Sequence, residues 1–217
     1  MKILVLWTVF FAFCTYTVFS QNPLDAIGQE HNRVLQQLIS CENTNKNFYP
    51  FLPYSDYMKE FYENTITYGD PEALLFLDYV NLPFSEKQAI TNFLALSDNL
   101  PIHQLEPLLD TLEKEAIKKK SSPISLGFWS VAKHSLKYWK TFKWKDDNKP
   151  PLLAVVKADA LGLLKGIVFG AAFWIGSNFI FNVPDAIGIL GGSTIAVGIT
   201  ALDSFRFSKK YKKRTES

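Results

Sequence analysis

The sequence predicts an all-α protein, because hydrophobic residues recur with a spacing near 3.6 and no segment alternates convincingly with a period of two. Residues that start or break helices separate these periodic segments. We therefore divide the 217 residues into four parts. They are a signal peptide (1–20), an exported helical bundle domain (21–148), a C-terminal glycine-zippered hydrophobic helical hairpin (152–204) and a basic tail (205–217).

The N-terminus has the pattern of a secretory signal peptide. Lys2 precedes a long apolar run, and the run ends in Val18 to Ser20, where small residues suit signal peptidase. We expect cleavage before Gln21, with a lipoprotein signal around Cys14 as the weaker alternative. Cleavage leaves Cys41 as the lone cysteine, so packing and not an intramolecular disulfide must stabilise the exported domain.

The exported domain contains six segments with helical spacing or helix boundary signals. One of them opens at Ser85, which with Gln88 resembles a capping box. Another turns its leucines inward and its acidic residues outward. The six predicted helices are Asn22–Ile39, Tyr54–Asn64, Pro71–Val80, Ser85 to about Asn99, Pro101–Lys120 and Ile124–Phe142.

The last of these helices is basic and rich in tryptophan. Trp129 and Trp139 share one face, Lys137 and Lys140 lie on another, and Trp144 follows the helix. This pattern is typical of a helix at a membrane interface, where tryptophan lies at headgroup depth and lysine meets anionic lipid. The alternative is that the tryptophans pack in the core of the bundle while the lysines face water.

The C-terminal hairpin is predicted from two charge-free segments, of 19 residues between Lys165 and Asp185 and of 17 between Asp185 and Asp203. Each approaches the length of a membrane span. Small residues recur at every fourth position and allow close helix packing in lipid. The principal members are Gly162, Gly166 and Gly170 in the first helix, and Gly188, Gly192 and Ala196 in the second. A hairpin buried against the helical domain is the alternative.

The charge distribution indicates which partners to expect. The net charge is only +2, but six basic residues lie between Arg206 and Arg214. Such a tail suits anionic lipid, whereas a nucleic-acid interface is not expected. We therefore predict a lipid membrane as partner, with a homo-oligomer or an unidentified protein partner as further options. Two complete spans would place the basic tail on the exported side, against the positive-inside rule, which makes an ordinary two-span anchor unexpected.

Catalytic signatures are absent from the sequence. The three histidines, His31, His103 and His134, fall on different predicted helices without a metal-ligand spacing. His31 and Asn32 form a compact polar pair on an apolar helix face, which we interpret as a buried polar site that satisfies backbone groups. The charged residues that border the first hydrophobic helix, Lys157, Asp159 and Lys165, are expected at lipid headgroups. We expect no enzyme activity, no catalytic or metal site and no cofactor.

Three segments resemble uncharacterised exported proteins of Bacteroidetes-type bacteria. They are NPLDAIGQEHN (22–32), SVAKHSLKYW (130–139) and KADALGLLKG (157–166). Proteins of that group share an Asn-Pro...His-Asn opening, a helical middle, a Ser-Tyr-Tyr-Trp-like segment and a Gly/Ala-rich C-terminus similar to hydrophobic bacteriocins. Here Leu136 and Lys137 depart from the usual aromatic or small polar residues. The resemblance implies the same helical architecture and carries no established activity.

Two hypotheses about function follow from these patterns. The first is an exported, membrane-associated protein whose hairpin is membrane-active in the manner of a bacteriocin or toxin. The second is a structural or protein-interaction module that the hydrophobic unit anchors in the cell envelope. An enzyme with a pocket at His31 is a distant third.

Overall fold

A computed structural model describes residues 21–43, 75–144 and 150–181 of the chain. Every regular element in these ranges is a helix, which confirms the all-α prediction for them. The predicted signal peptide, the predicted helix Tyr54–Asn64, the second hairpin helix and the basic tail lie outside the described residues. In order, the described helices are α1 (Asp25–Asn43), α2 (Phe76–Tyr79), α3 (Phe84–Leu94), α4 (Ile102–Lys118), α5 (Pro123–Thr141) and α6 (Leu152–Phe181).

Helix α5 lies at the centre of the fold and packs against α1, α4 and α6. It is buried on more than one face, because its sequence mixes large apolar residues with serine, alanine and glycine, which let neighbouring helices approach. Phe128 and Trp129 meet Phe93 of α3 in edge-to-face contacts, with ring centroids 6.0 and 5.5 Å apart. Such aromatic pairs stabilise a core beyond the effect of their buried area.

Helix α6 has 30 residues and is therefore about 45 Å long. Every residue from Leu153 to Gly166 is buried, and burial first decreases at Ile167 and Val168. The leucine, valine and alanine side chains of this first half join the same hydrophobic core as those of α5. The first predicted hairpin helix thus begins inside the helical bundle.

No helix in the described part of the chain is both long and apolar enough to cross a membrane. The predicted charge-free segment between Lys165 and Asp185 lies partly outside the described residues. Three charged residues, Lys157, Asp159 and Lys165, interrupt the apolar sequence of α6, and all three are buried in the bundle. The expectation that they lie at lipid headgroups is therefore wrong.

Two helix ends depart from the sequence prediction. The capping box at Ser85 is not formed, because α3 already begins at Phe84 after Pro83 and no side chain caps its first turn. Glu86 instead accepts hydrogen bonds from the backbone and hydroxyl of Ser122, the residue that caps α5. Helix α4 ends at Lys118, and Lys120, two residues later, has a φ of 53°, the left-handed conformation that usually favours glycine after a helix.

Candidate functional site

The three segments that carry the family resemblance come together around one buried polar cluster. The first segment leads into α1 and forms its first two turns, the second lies on α5 and the third lies on α6. We call the group the His31 cluster. Its members are Asp25, His31, Asn32, Ser130, His134, Ser135, Trp139 and Asp159.

His31 is completely buried, as the sequence predicted, while its neighbour Asn32 is half-buried. The Nδ1 atom of His31 lies 3.0 Å from Oδ1 of Asn32. The amide Nδ2 of Asn32 donates to the backbone oxygen of His134, at 2.8 Å, so its oxygen must face the ring. This arrangement assigns the ring proton to Nδ1 and leaves Nε2 of His31 as an acceptor.

Asp159 is the partner of this site on α6 and is also completely buried. Its Oδ2 atom accepts hydrogen bonds from the hydroxyl of Ser135, at 2.5 Å, and from the indole N–H of Trp139, at 2.9 Å. The same oxygen lies 3.7 Å from Nε2 of His31, beyond hydrogen-bond distance. Both Oδ2 of Asp159 and Nε2 of His31 are hydrogen-bond acceptors, which explains why they stay apart. Nε2 of His31 has no hydrogen-bond partner among the described residues.

A second arm of the cluster joins α1 to α5 nearer the surface. His134 Nε2 lies 2.8 Å from Oδ1 of Asp25. Partial burial favours a higher pKa for Asp25, but hydrogen bonds from His134 and Gln29 outweigh it, so the pKa of this carboxyl is lowered. The arm is thus a favourable polar contact between the first turn of α1 and the middle of α5.

Between these two arms, α1 and α5 approach each other closely. The backbone N–H of Gly28 donates to the hydroxyl of Ser130, at 3.1 Å, and this hydroxyl donates to the backbone oxygen of Asp25, at 3.3 Å. A serine on α5 thereby bonds directly to the backbone of α1. Only a residue without a side chain permits this approach, since a Cβ atom at position 28 would collide with α5.

A separate polar network holds Asn22, which precedes α1, against α4 and α5. The amide of Asn22 donates to the carboxylate of Glu113, at 2.9 Å, and to the backbone oxygen of Leu126, at 2.8 Å. Lys133 also donates to Glu113, at 2.6 Å. Glu113 is buried, which corrects the expectation that every acidic residue of α4 faces outward. The Asn-Pro part of the motif therefore anchors α1 to α4 and α5.

The chemistry available to the His31 cluster is limited by its burial. His31 and Asp159 line neither the cleft beside Glu86 and Trp129 nor the cleft beside Trp139 and Trp144. No group of three or more His, Cys, Asp or Glu side chains within the described ranges is arranged to hold a metal ion. The contacts that we observe position α1, α5 and α6 relative to one another.

The residues predicted to lie at a membrane interface are not all on the surface. Trp129 and Trp139 are each 2% exposed, so the core alternative describes them and the interfacial prediction is wrong for both. Trp144 is half-buried and stacks on Trp139, whereas Lys137 and Lys140 are exposed. Lys140 forms an ion pair with Glu106 of α4, at 2.7 Å. An amphipathic pattern identifies the apolar face of α5 but does not specify whether protein or lipid covers it.

The small-residue stripe is described only in part. Gly162 and Gly166 are buried within the bundle. Gly170 belongs to α6, and the structure describes only its place in that helix. The prediction for Gly188, Gly192 and Ala196 concerns residues outside the described ranges.

Comparison with protein-family models, curated proteins and solved structures finds no match to this chain. The resemblance to exported Bacteroidetes-type proteins therefore stays a prediction. In the structure, each of the three segments contributes residues to the His31 cluster.

Burial of His31 leads to a prediction about pH. Burial lowers the pKa of His31 to about 4, with the hydrogen bond to Asn32 opposing the shift and the charge of His134 adding to it. An unfolded histidine titrates near 6.5, so the unfolded chain takes up this proton first as the pH falls. The contribution of neutral, buried His31 to the free energy of unfolding is therefore fully present above pH 6.5. As the pH falls from 6.5 to 4, this contribution is lost, and the free energy of unfolding decreases by about 3 kcal/mol in total.

Urea unfolding across this pH range measures the effect. A His31→Gln variant should lose the additional pH dependence between 6.5 and 4, whereas His103→Gln, at an exposed histidine of α4, should retain it. An unchanged slope in the His31→Gln variant would contradict the neutral, buried state of this ring.

Proposed function

We propose that this chain is an exported, membrane-associated helical module without catalytic activity. Its apolar C-terminal region attaches the module to a lipid bilayer. The observation that supports this proposal best is the continuity of α6. Its residues up to Gly166 belong to the core of the bundle, while residues 166–181 of the same helix carry no charged side chain. The helix therefore connects the folded domain directly to an apolar segment.

Buried charges favour an anchored module over a hairpin that is released from the domain. Lys157 of α6 is 1% exposed, and its ammonium group forms an ion pair with Asp98, at 2.7 Å, and donates to the backbone oxygen of Leu96. Asp159 is held by Ser135 and Trp139 of α5. Withdrawal of α6 would break these buried contacts and expose the core, at a cost of several kcal/mol.

The remaining sequence supports the same proposal. Residues 186–202 are a second charge-free segment, and the basic residues from Arg206 to Arg214 follow it. Apolar segments provide affinity for any bilayer, whereas each basic residue near an anionic surface contributes about 1 kcal/mol. We therefore expect binding to neutral vesicles and stronger binding to anionic ones.

Vesicle flotation with the chain from Gln21 to Ser217 tests this proposal. The protein should float with phosphatidylcholine vesicles, and the double variant Phe173→Glu, Ile175→Glu should bind at least tenfold less, because two charges would enter an apolar environment. The matched double variant Phe173→Leu, Ile175→Leu should bind like the wild type. Circular dichroism checks that all three proteins keep their helix content.

Dye-loaded vesicles distinguish the two modes of membrane association. An anchored module should bind without release of the dye. Release at protein concentrations where binding saturates would support the membrane-active hypothesis instead. Failure of the wild-type chain to float with either neutral or phosphatidylglycerol vesicles would contradict membrane association itself.

A further inference from the structure

A cleft of about 420 Å³ lies where the end of α5 meets the start of α6. Three aromatic residues that we call the aromatic wall line it, Trp139, Phe142 and Trp144, and so do Asp98, Asn99 and Pro151. Ligand pockets in proteins range from about 300 to 1,000 Å³, so this cleft has room for a small ligand. It shares Trp139 with the His31 cluster but none of the other members of that cluster.

The aromatic wall is rigidly built. Trp144 stacks on the buried Trp139, with ring centroids 5.1 Å apart and an angle of 17° between the rings. Phe142 packs edge-on against both, at 5.0 Å from each. The indole N–H of Trp139 is fixed by its hydrogen bond to Asp159. These contacts hold flat apolar surfaces in place before any ligand binds, which lowers the entropic cost of binding.

The charges around the cleft are already compensated within the protein. Asp98 pairs with Lys157, at 2.7 Å, and Lys140 pairs with Glu106, also at 2.7 Å. A charged ligand would have to compete with these pairs, whereas a neutral ligand leaves them intact. The carboxylate of Asp98 and the exposed amide of Asn99 retain the capacity to exchange hydrogen bonds with hydroxyl groups.

We propose that this cleft binds a neutral saccharide of one to three sugar units. A sugar ring has an apolar C–H face, which suits the aromatic wall, and a rim of hydroxyl groups, which suits Asp98 and Asn99. A lipid acyl chain has no groups that exchange hydrogen bonds with the exposed amide of Asn99 or add to those of Asp98. The inference does not depend on membrane association, because all of the cleft's residues named here belong to the helical domain or to the turn before α6.

An array of immobilised neutral mono-, di- and trisaccharides, probed with the labelled chain from Gln21 to Ser217, tests the proposal. We expect retention on at least one saccharide, and titration of that saccharide gives the affinity. Trp144→Ala should weaken it at least tenfold, and Asn99→Ala about threefold to tenfold. Phe84→Ala, which removes an exposed aromatic ring outside the cleft, should leave the affinity unchanged.

Asn99 is exposed, so its substitution tests the site even where the Trp144 variant folds poorly. Binding that is equally tight in the wild type and in both cleft variants would overturn the proposal. The absence of binding to every saccharide on the array would also overturn it. The proposal would likewise be overturned if a proline-rich peptide bound competitively at this cleft and no saccharide bound there.

Discussion

Replacement of Gly28 by alanine is expected to lower the free energy of unfolding by about 2–4 kcal/mol. The new Cβ atom would lie 2.6 Å from the backbone oxygen of Ser130 and 2.6 Å from Cδ2 of His134. A backbone oxygen cannot move aside, so α1 and α5 must separate, at a cost of about 1–3 kcal/mol. Separation also weakens the hydrogen bond from Gly28 to the Ser130 hydroxyl, a loss of about 1 kcal/mol.

The sign of this effect makes it a sharp test. In an exposed helix interior, a change from glycine to alanine stabilises by about 1 kcal/mol, because alanine has the better helix propensity. Gly127→Ala on α5 is the matched control: its Cβ atom would meet only the ends of the Leu163 and Ile27 side chains, at 3.2 and 3.6 Å. We expect a change within about 1 kcal/mol there. Urea unfolding measures both variants, and equal stability of Gly28→Ala and the wild type would contradict the close approach of α1 and α5.

Replacement of Asp159 by alanine is the second large effect, with an expected loss of about 3–5 kcal/mol. The substitution removes the acceptor of two buried donors, the hydroxyl of Ser135 and the indole N–H of Trp139. Each donor left without a partner costs about 1–3 kcal/mol, and removal of one partner from a buried charged network costs more than loss of a surface contact. Chemical denaturation of the chain from Gln21 gives the value.

Two further variants separate hydrogen bonding from loss of volume. Asp159→Asn keeps an oxygen that both donors can reach, so it should recover at least half of the stability that alanine loses. Ser135→Ala removes a single donor and should cost about 1–2 kcal/mol, which remains measurable if Asp159→Ala does not fold. If asparagine and alanine at position 159 destabilise equally, the hydrogen bonds to Ser135 and Trp139 are not the cause.

Helix positions with a strong local pattern were predictable from the sequence. The segment predicted as Ile124–Phe142 is α5, Pro123–Thr141, and the segment predicted as Pro101–Lys120 is α4, Ile102–Lys118. Both have a regular apolar stripe and a proline at or near their start, which are local signals. Burial of His31 was also predictable, because a polar residue on an apolar helix face usually satisfies groups in the interior.

The role of Asp159 was not predictable in the same way. Its sequence neighbours are apolar, so the local pattern resembles the charged end of a lipid-embedded helix. Its donors, Ser135 and Trp139, belong to another helix 24 and 20 residues earlier, and His31 lies on a third. Local periodicity does not encode which helices become neighbours, and the apolar face of α5 had no feature that distinguishes a protein partner from lipid.

Helix α6 passes from the bundle core into its uncharged half without a linker or a break. A flexible tether would let a folded domain rotate freely about its attachment point, whereas a continuous helix restricts that rotation. Tilt at the C-terminal end of α6 would be transmitted along the helix axis to Lys157 and Asp159, and from them to the connection between α3 and α4 and to α5. A continuous helix therefore couples the orientation of the bundle to that of its apolar end.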